Sequence, residues 1–223
     1  MRDPYIEENG VLRNKLNIKD ENRLKVAEAD IGFLKLITVD SIRIDNFDEE
    51  LIKKIHRHIF EDIFDWAGEY RTVPLVKEEL VIPGLSVQYS DCKSIPQDLS
   101  KKLQQLNSIA WQNLDSKEIA NRFAREISLL WRVHPFRDGN TRTMLSFAYL
   151  YAKEHGFPFD IETFINGLNR NYAEDGSVTS FSIRDKFVLA CLDEKDYPEV
   201  EHLAIVFENA INNYQNSKRG KAR

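Results

Sequence analysis

A mainly α-helical bundle with one short β-hairpin is the fold class this sequence predicts, and three observations point to it. Apolar residues recur at three- and four-residue steps through most of the chain, the period of helices with one buried face. Only between Arg71 and Tyr89 does the pattern change, to a run of strand formers (Thr72, Val73, Leu75, Val76, Leu80, Val81, Ile82, Val87) broken by Pro83-Gly84. With 223 residues, 42% hydrophobic and 30% charged, the chain is large enough to bury a core of its own. A formal net charge of −5 argues against non-specific nucleic-acid binding. No apolar run has the length of a membrane span, and the start has no signal-peptide pattern. Cys92 and Cys191 are the two cysteines, too few for a disulfide framework or a cysteine zinc site, so a reducing cytoplasm is the expected location.

The elements follow in order. Residues 1–20 are a polar, turn-rich N-terminal extension with a break at Asn9-Gly10. A helix is expected from about Glu21 to Ile37, with Leu24, Ala27, Ile31 and Leu34 on one face. Asp48-Glu49-Glu50 suits the start of a second helix, which carries Leu51, Ile55, Ile59 and Ile63 at four-residue steps. His56 and His58 sit on it two residues apart, on different faces, which favours solvated or capping roles over a shared metal. Residues 71–89 are expected to form a hairpin or extended flap. Ile95-Pro96 opens a further helix, with Leu99, Leu103 and Leu106 inward. Asp115 or Ser116 caps the next, whose Ala120, Phe123, Ala124, Ile127, Leu130 and Trp131 make a packed stripe ending at Pro135. Thr143 to Tyr151 is apolar nearly all round and reads as a buried central helix. Beyond Gly156 and Pro158, Asp160 caps a short helix, Asp175-Gly176 is a turn, and a helix runs from Ser182 to about Leu192. Val200, Leu203, Ala204, Phe207, Ala210, Ile211 and Tyr214 form a last stripe before a basic tail, Lys218 to Arg223, expected to be disordered. The expected division is an extension over 1–20, the domain over 21–192, and a C-terminal helix and tail over 193–223.

Between the stripe and the buried helix lie His134-Pro135-Phe136-Arg137-Asp138-Gly139-Asn140-Thr141-Arg142. A histidine titrates near neutrality, so His134 can take a proton from an attacking hydroxyl. Asp138 offers a hard oxygen ligand suited to Mg²⁺. Gly139 tolerates turn geometry, and the N–H groups from Gly139 to Arg142 open the following helix, a natural phosphate cradle beside the Arg142 charge. Base, metal ligand, anion hole and cation together describe attack on a nucleotide phosphate, where positioning and charge stabilisation dominate.

The stretch resembles the Fic family, whose signature is HPFx[D/E]GN[G/K]RxxR. The resemblance extends to Ile55–Val73 and to Asp3-Pro4-Tyr5 and Ala27-Glu28-Ala29-Asp30, as in Fic proteins of the bacterial toxin type. It implies a Fic-type helical bundle with the flap over the active-site loop, and transfer of AMP from ATP to a Ser, Thr or Tyr hydroxyl of a target protein. Carried over by residue, His134 is the base, Asp138 holds Mg²⁺, Asn140 contacts the α-phosphate, and Arg142 contacts the departing phosphates. Gly139 and Thr141 complete the nucleotide loop, and Phe136 anchors it. The flap segment Ser86-Val87-Gln88-Tyr89 would pair with the target's backbone by strand addition. Asn166, Asn169 and Asn171 fall where the family places groups near the base and ribose.

Two positions depart from the signature. Thr141 stands where Gly or Lys is usual, and Leu145 where the second arginine, which holds the terminal phosphate, is usual. Such a charge-assisted contact is typically worth about 1.5–3 kcal/mol, one or two decades in rate or affinity. Two alternatives therefore stay open: transfer of another phosphate-containing group or use of another nucleotide, and a catalytically weak protein whose flap is a docking surface. Many Fic proteins carry an inhibitory glutamate in [S/T]xxxE[G/N]. Here Glu208-Asn209 is the nearest match, with Ala204 in place of Ser or Thr, so the expectation is either no such brake or a separate antitoxin-like chain. Self-modification is a further possibility.

Overall fold

The computed structural model describes residues 3–77, 79–165, 167, 171–172, 178–193 and 198–221. Eight α-helices are present among them: α1 Glu21–Ile37, α2 Glu49–Phe60, α3 Ile95–Asn107, α4 Ser116–Val133, α5 Asn140–Glu154, α6 Glu162–Ile165, α7 Ile183–Ala190 and α8 Glu201–Lys221. The fold is mainly α, as the periodicity predicts.

Local chemistry sets the helix starts. Asp20 caps α1 by accepting from the Arg23 N–H, and Asp48 caps α2 by accepting from the Leu51 N–H. Asp115 and Glu118 form a reciprocal capping box on α4, and Ser182 and Asp185 form another on α7. These caps fix where the site-bearing helices begin. Helix α4 is the hub: it packs against α3, α5, α7 and α8 through Ala120, Phe123, Ala124, Ile127, Leu130 and Trp131. Helix α5 packs on α2 and is buried nearly all round, so both ends of the 134–142 loop are anchored in one core.

Four expectations are corrected. No strand forms between 71 and 89 among the described residues; the segment is extended and irregular. Its tether is a side chain: Arg71 donates to the carbonyls of Val73, Ser90 and His134, so main-chain acceptors are satisfied without a partner strand. The hairpin lies instead at Asn171–Tyr172 (β1) and Val178–Ser180 (β2), antiparallel with an irregular register; the Asp175-Gly176 turn, Asn166 and Asn169 lie outside the described residues. The inner face of α1 is Leu24, Glu28 and Gly32, and Leu34 faces outward, because a polar pair described below turns the helix. His56 is fully buried rather than solvated, whereas His58 does cap, bonding to Lys35 O and Thr38 Oγ1 at the end of α1. Finally, Lys218 to Lys221 continue helix α8 instead of forming a disordered tail.

Candidate active site

Helix α4 ends at His134, which takes the left-handed conformation (φ 52°, ψ 58°) and turns the chain into the loop. A non-glycine residue there is strained and needs support. Arg71 supplies it, with Nε donating to His134 O at 2.8 Å and its main-chain N–H donating to Pro135 O at 2.8 Å. The loop is then closed on itself. Asn140 Nδ2 donates to Phe136 O (2.8 Å), and Phe136 N donates to Asn140 Oδ1 (2.9 Å). Phe136 is buried and stacks on His56 with ring centroids 3.8 Å apart.

Gly139 is required by geometry. Its φ is +77°, and a Cβ there would lie 2.3 Å from Cε2 of Phe60 on α2. His56, also on α2, accepts the Gly68 N–H at Nδ1 and donates from Nε2 to Asp138 O at 3.1 Å. Burial pushes its pKa down to about 3, so it is a neutral structural post under the loop.

A cavity of about 370 Å³ opens beside the loop, lined in part by His134, Asp138, Gly139, Asn140, Thr141 and Arg142, and so unites the loop residues the sequence singles out, whereas Ser86 to Tyr89 of the flap do not line it. The volume falls in the range of small-ligand sites. The His134 imidazole is held far below its ordinary pKa by burial first and then by the Lys77, Arg184 and Arg71 charges. It is therefore neutral at physiological pH and able to accept a proton, and its buried Nδ1 bonds to no described residue. Tyr89 of the flap stacks on it, centroids 4.0 Å apart, and Trp131 meets it edge-on. Burial works against ionisation of Asp138, but Lys77, Arg142, the Gly139 N–H and Arg137 outweigh it and hold its carboxyl below the usual value. One Asp138 oxygen accepts from Gly139 N at 2.7 Å, and the other bonds to no described residue. The first-turn N–H groups of α5 at Asn140, Thr141 and Arg142 have no acceptor within the helix.

Three roles differ from the simple reading. The Asn140 side chain is occupied by the Phe136 backbone, so what it presents to the cavity is its main-chain N–H. Thr141 accepts from Trp131 Nε1 at 3.0 Å, which accounts for a hydroxyl where the signature has Gly or Lys. Arg142 is ion-paired with Glu28 of α1 and lies over the Phe60 ring. Gly32 makes room for it, since a Cβ there would come within 3.2 Å of Arg142 Nη1. Burial first raises the Glu28 pKa, and Arg142 opposes that shift. Glu28 was visible in sequence only as part of Ala27–Asp30, and nothing local marks it as the partner of a residue 114 positions away. Glu208 lies on α8, does not line the cavity, and gives Arg142 no partner.

The flap adds residues that sequence reasoning passed over. Arg184 of α7 holds Glu79 through both terminal nitrogens, at 2.5 and 2.7 Å, and Tyr89 Oη donates to Glu79 Oε1 at 2.9 Å. Within Ser86–Tyr89, Val87 and Tyr89 turn inward while Ser86 and Gln88 are exposed. Apart from Gln88 O, which accepts from Arg132, the main-chain groups of 86–89 bond to no described residue.

A family model, the Fic/DOC family, matches residues 46–152, a span that runs from before α2 through the loop and α5. The chain carries a Fic/DOC domain. It is 32% identical over 160 residues to the protein adenylyltransferase VbhT of Bartonella schoenbuchensis, an alignment covering 71% of this chain and 32% of VbhT. The chain thus spans about a third of that relative's length. It is also 25% identical over 185 residues to y4lH of Sinorhizobium fredii, covering 78% of this chain and 90% of that protein. Among solved structures it is similar to the BepC effector of Bartonella tribocorum with bound AMPPNP, at a TM-score of 0.69 and 22% identity over 92% of this chain and 95% of that one. The Fic domain of a Bartonella quintana effector with bound ADP gives a TM-score of 0.70 and 22% identity, covering 92% and 93%. Those two likenesses establish the Fic fold. Among the described residues no helix is long and apolar enough to cross a membrane.

Proposed function

We propose that this Fic protein is an adenylyltransferase that moves AMP from ATP to a Ser, Thr or Tyr hydroxyl of another protein. The observation that carries the reading is a neutral, buried imidazole sharing one cavity with an ionised carboxylate and the open N-terminus of α5. That VbhT is a protein adenylyltransferase and that BepC was crystallised with AMPPNP support it.

His134 takes the proton from the acceptor hydroxyl, and the oxygen forms a bond to the α-phosphorus. The bond from that phosphorus to the oxygen bridging to the β-phosphate breaks, and pyrophosphate leaves with the electron pair. The N–H groups of Asn140, Thr141 and Arg142 face the charge that develops on the α-phosphate oxygens. Asp138 would hold a Mg²⁺, having one oxygen with no partner among the described residues and a carboxyl held ionised, and the ion would supply charge neutralisation of the phosphates. Ser86 to Tyr89 would receive the target as an added strand, using main-chain groups that, Gln88 O apart, bond to no described residue. The two free cysteines fit a reducing cytoplasm.

The test compares wild type with His134→Ala, each incubated with ATP and Mg²⁺, alone and with lysate, by intact and peptide mass. Addition of AMP by wild type only is expected, and the modified peptide names the acceptor. Addition to the protein itself would show self-modification, and a co-purifying small chain that blocks the reaction would be the antitoxin-like partner. If neither protein adds AMP while ATP still binds, another nucleotide donor takes the first place, and Leu145 is the residue that favours it.

A further inference from the structure

Four cations line the cavity beside the loop: Lys25, Lys77, Arg142 and Arg184. Three are already matched. Lys25 pairs with Glu21 at 2.7 Å, Arg142 with Glu28, and Arg184 with Glu79. Lys77 alone among the four has no carboxylate at ion-pair distance among the described residues. It sits on the flap, half-buried, with Asp138 the strongest charge acting on it.

Its orientation runs against hydrophobicity. The neighbouring Val76 is 87% exposed while Lys77 faces the cavity, the reverse of what an extended surface segment would choose. Partial burial of a lysine beside a cation-rich wall is costly unless an anion is there to meet it. Meanwhile Leu145, where the signature has its second arginine, is 6% exposed and packed in the core, so α5 offers no cation from that position.

We propose that Lys77 binds the β/γ-phosphates of the nucleotide, so that the flap supplies the charge that α5 lacks. This rests on the nucleotide reading given above. An ammonium is a compact point charge on a flexible stem and can follow a phosphate chain without the fixed geometry of an arginine fork. The flap then has two tasks, holding the terminal phosphates through Lys77 and covering His134 through Tyr89. Phosphate binding and positioning over the base become one event.

The experiment measures binding of ATP and of AMP by calorimetry in Mg²⁺-free buffer, so that affinity reports protein groups alone, for wild type, Lys77→Met and Lys77→Arg. Lys77→Met is expected to weaken ATP by about ten- to a hundredfold while AMP stays within about twofold, and Lys77→Arg to restore most of the ATP affinity. ATP binding unchanged in Lys77→Met, with wild type binding ATP, overturns the assignment and leaves the nucleotide site standing. An equal loss for ATP and AMP also overturns it, because Lys77 would then act through Asp138 and the loop. If wild type binds neither nucleotide, the nucleotide reading falls and this assignment with it.

Discussion

In the loop at 134–142, side chains and backbone of the same short stretch bond one another: Asn140 to Phe136, Asp138 to Gly139, Thr143 to Gly139. The flap facing it, residues 71–90, has few main-chain bonds and is pinned by long-range side chains, Glu79 to Arg184 and Arg71 to Ser90 O. The loop is a rigid frame between two core helices, braced by Arg71 at the root of the flap, and the flap beyond Arg71 can be released without unfolding that frame. Loss of a loop contact should therefore act globally, and loss of a flap contact locally.

The strongest break is Gly139→Ala, which forces a Cβ onto Phe60 at a left-handed position. It should cost roughly 3 kcal/mol or more of global stability, read by denaturant unfolding, and a loss below 1 would show that the loop yields easily. Asn140→Ala leaves both main-chain groups of buried Phe136 without partners and should cost about 2–4 kcal/mol in the same assay. Acid acts on the same frame. His56 and His134 are buried neutral, with pKa values far below the unfolded value, so the unfolded chain binds more protons as pH falls through about 6.5. Stability should thus drop on going from pH 7 to 5, by about 2 kcal/mol for His56, with His134 acting in the same direction. Glu28, whose carboxyl is raised, works the other way nearer the carboxylate range. A stability flat over that interval would mean the imidazoles reach water.

On the flap side, Glu79→Ala should lower global stability by only about 1–2 kcal/mol, because Arg184 is partly exposed and regains water. Limited proteolysis within 73–88 should still accelerate by about tenfold. Equal effects on both readouts would erase the distinction between frame and flap. The smallest effect is expected from Glu28→Gln, which unmasks the Arg142 charge and should tighten ATP roughly two- to fivefold in a binding titration.

The same contrast explains what could be read from the sequence. The helices, the caps at Asp20, Asp48 and Asp115, and the loop between two buried helices were legible because their determinants lie within a few residues of one another. The flap was not. Arg71 meets His134 across 63 positions and Glu79 meets Arg184 across 105, and these contacts fix an extended segment that strand propensity alone reads as a hairpin. The turned face of α1 and the burial of His56 have the same cause, partners more than 80 positions away. Asn140 was recognised as part of the loop, but its side chain serves the backbone of Phe136, because a buried amide is satisfied first by the nearest complementary pair.

His56 has one more consequence. The Gly68 N–H occupies Nδ1, so the ring proton resides on Nε2, where it bonds to Asp138 O and is sealed beneath Phe136. Only one tautomer fits. That proton is a built-in spectroscopic clock: its exchange with deuterated solvent times the opening of the 134–142 loop from below, in the unmodified protein and with no label attached.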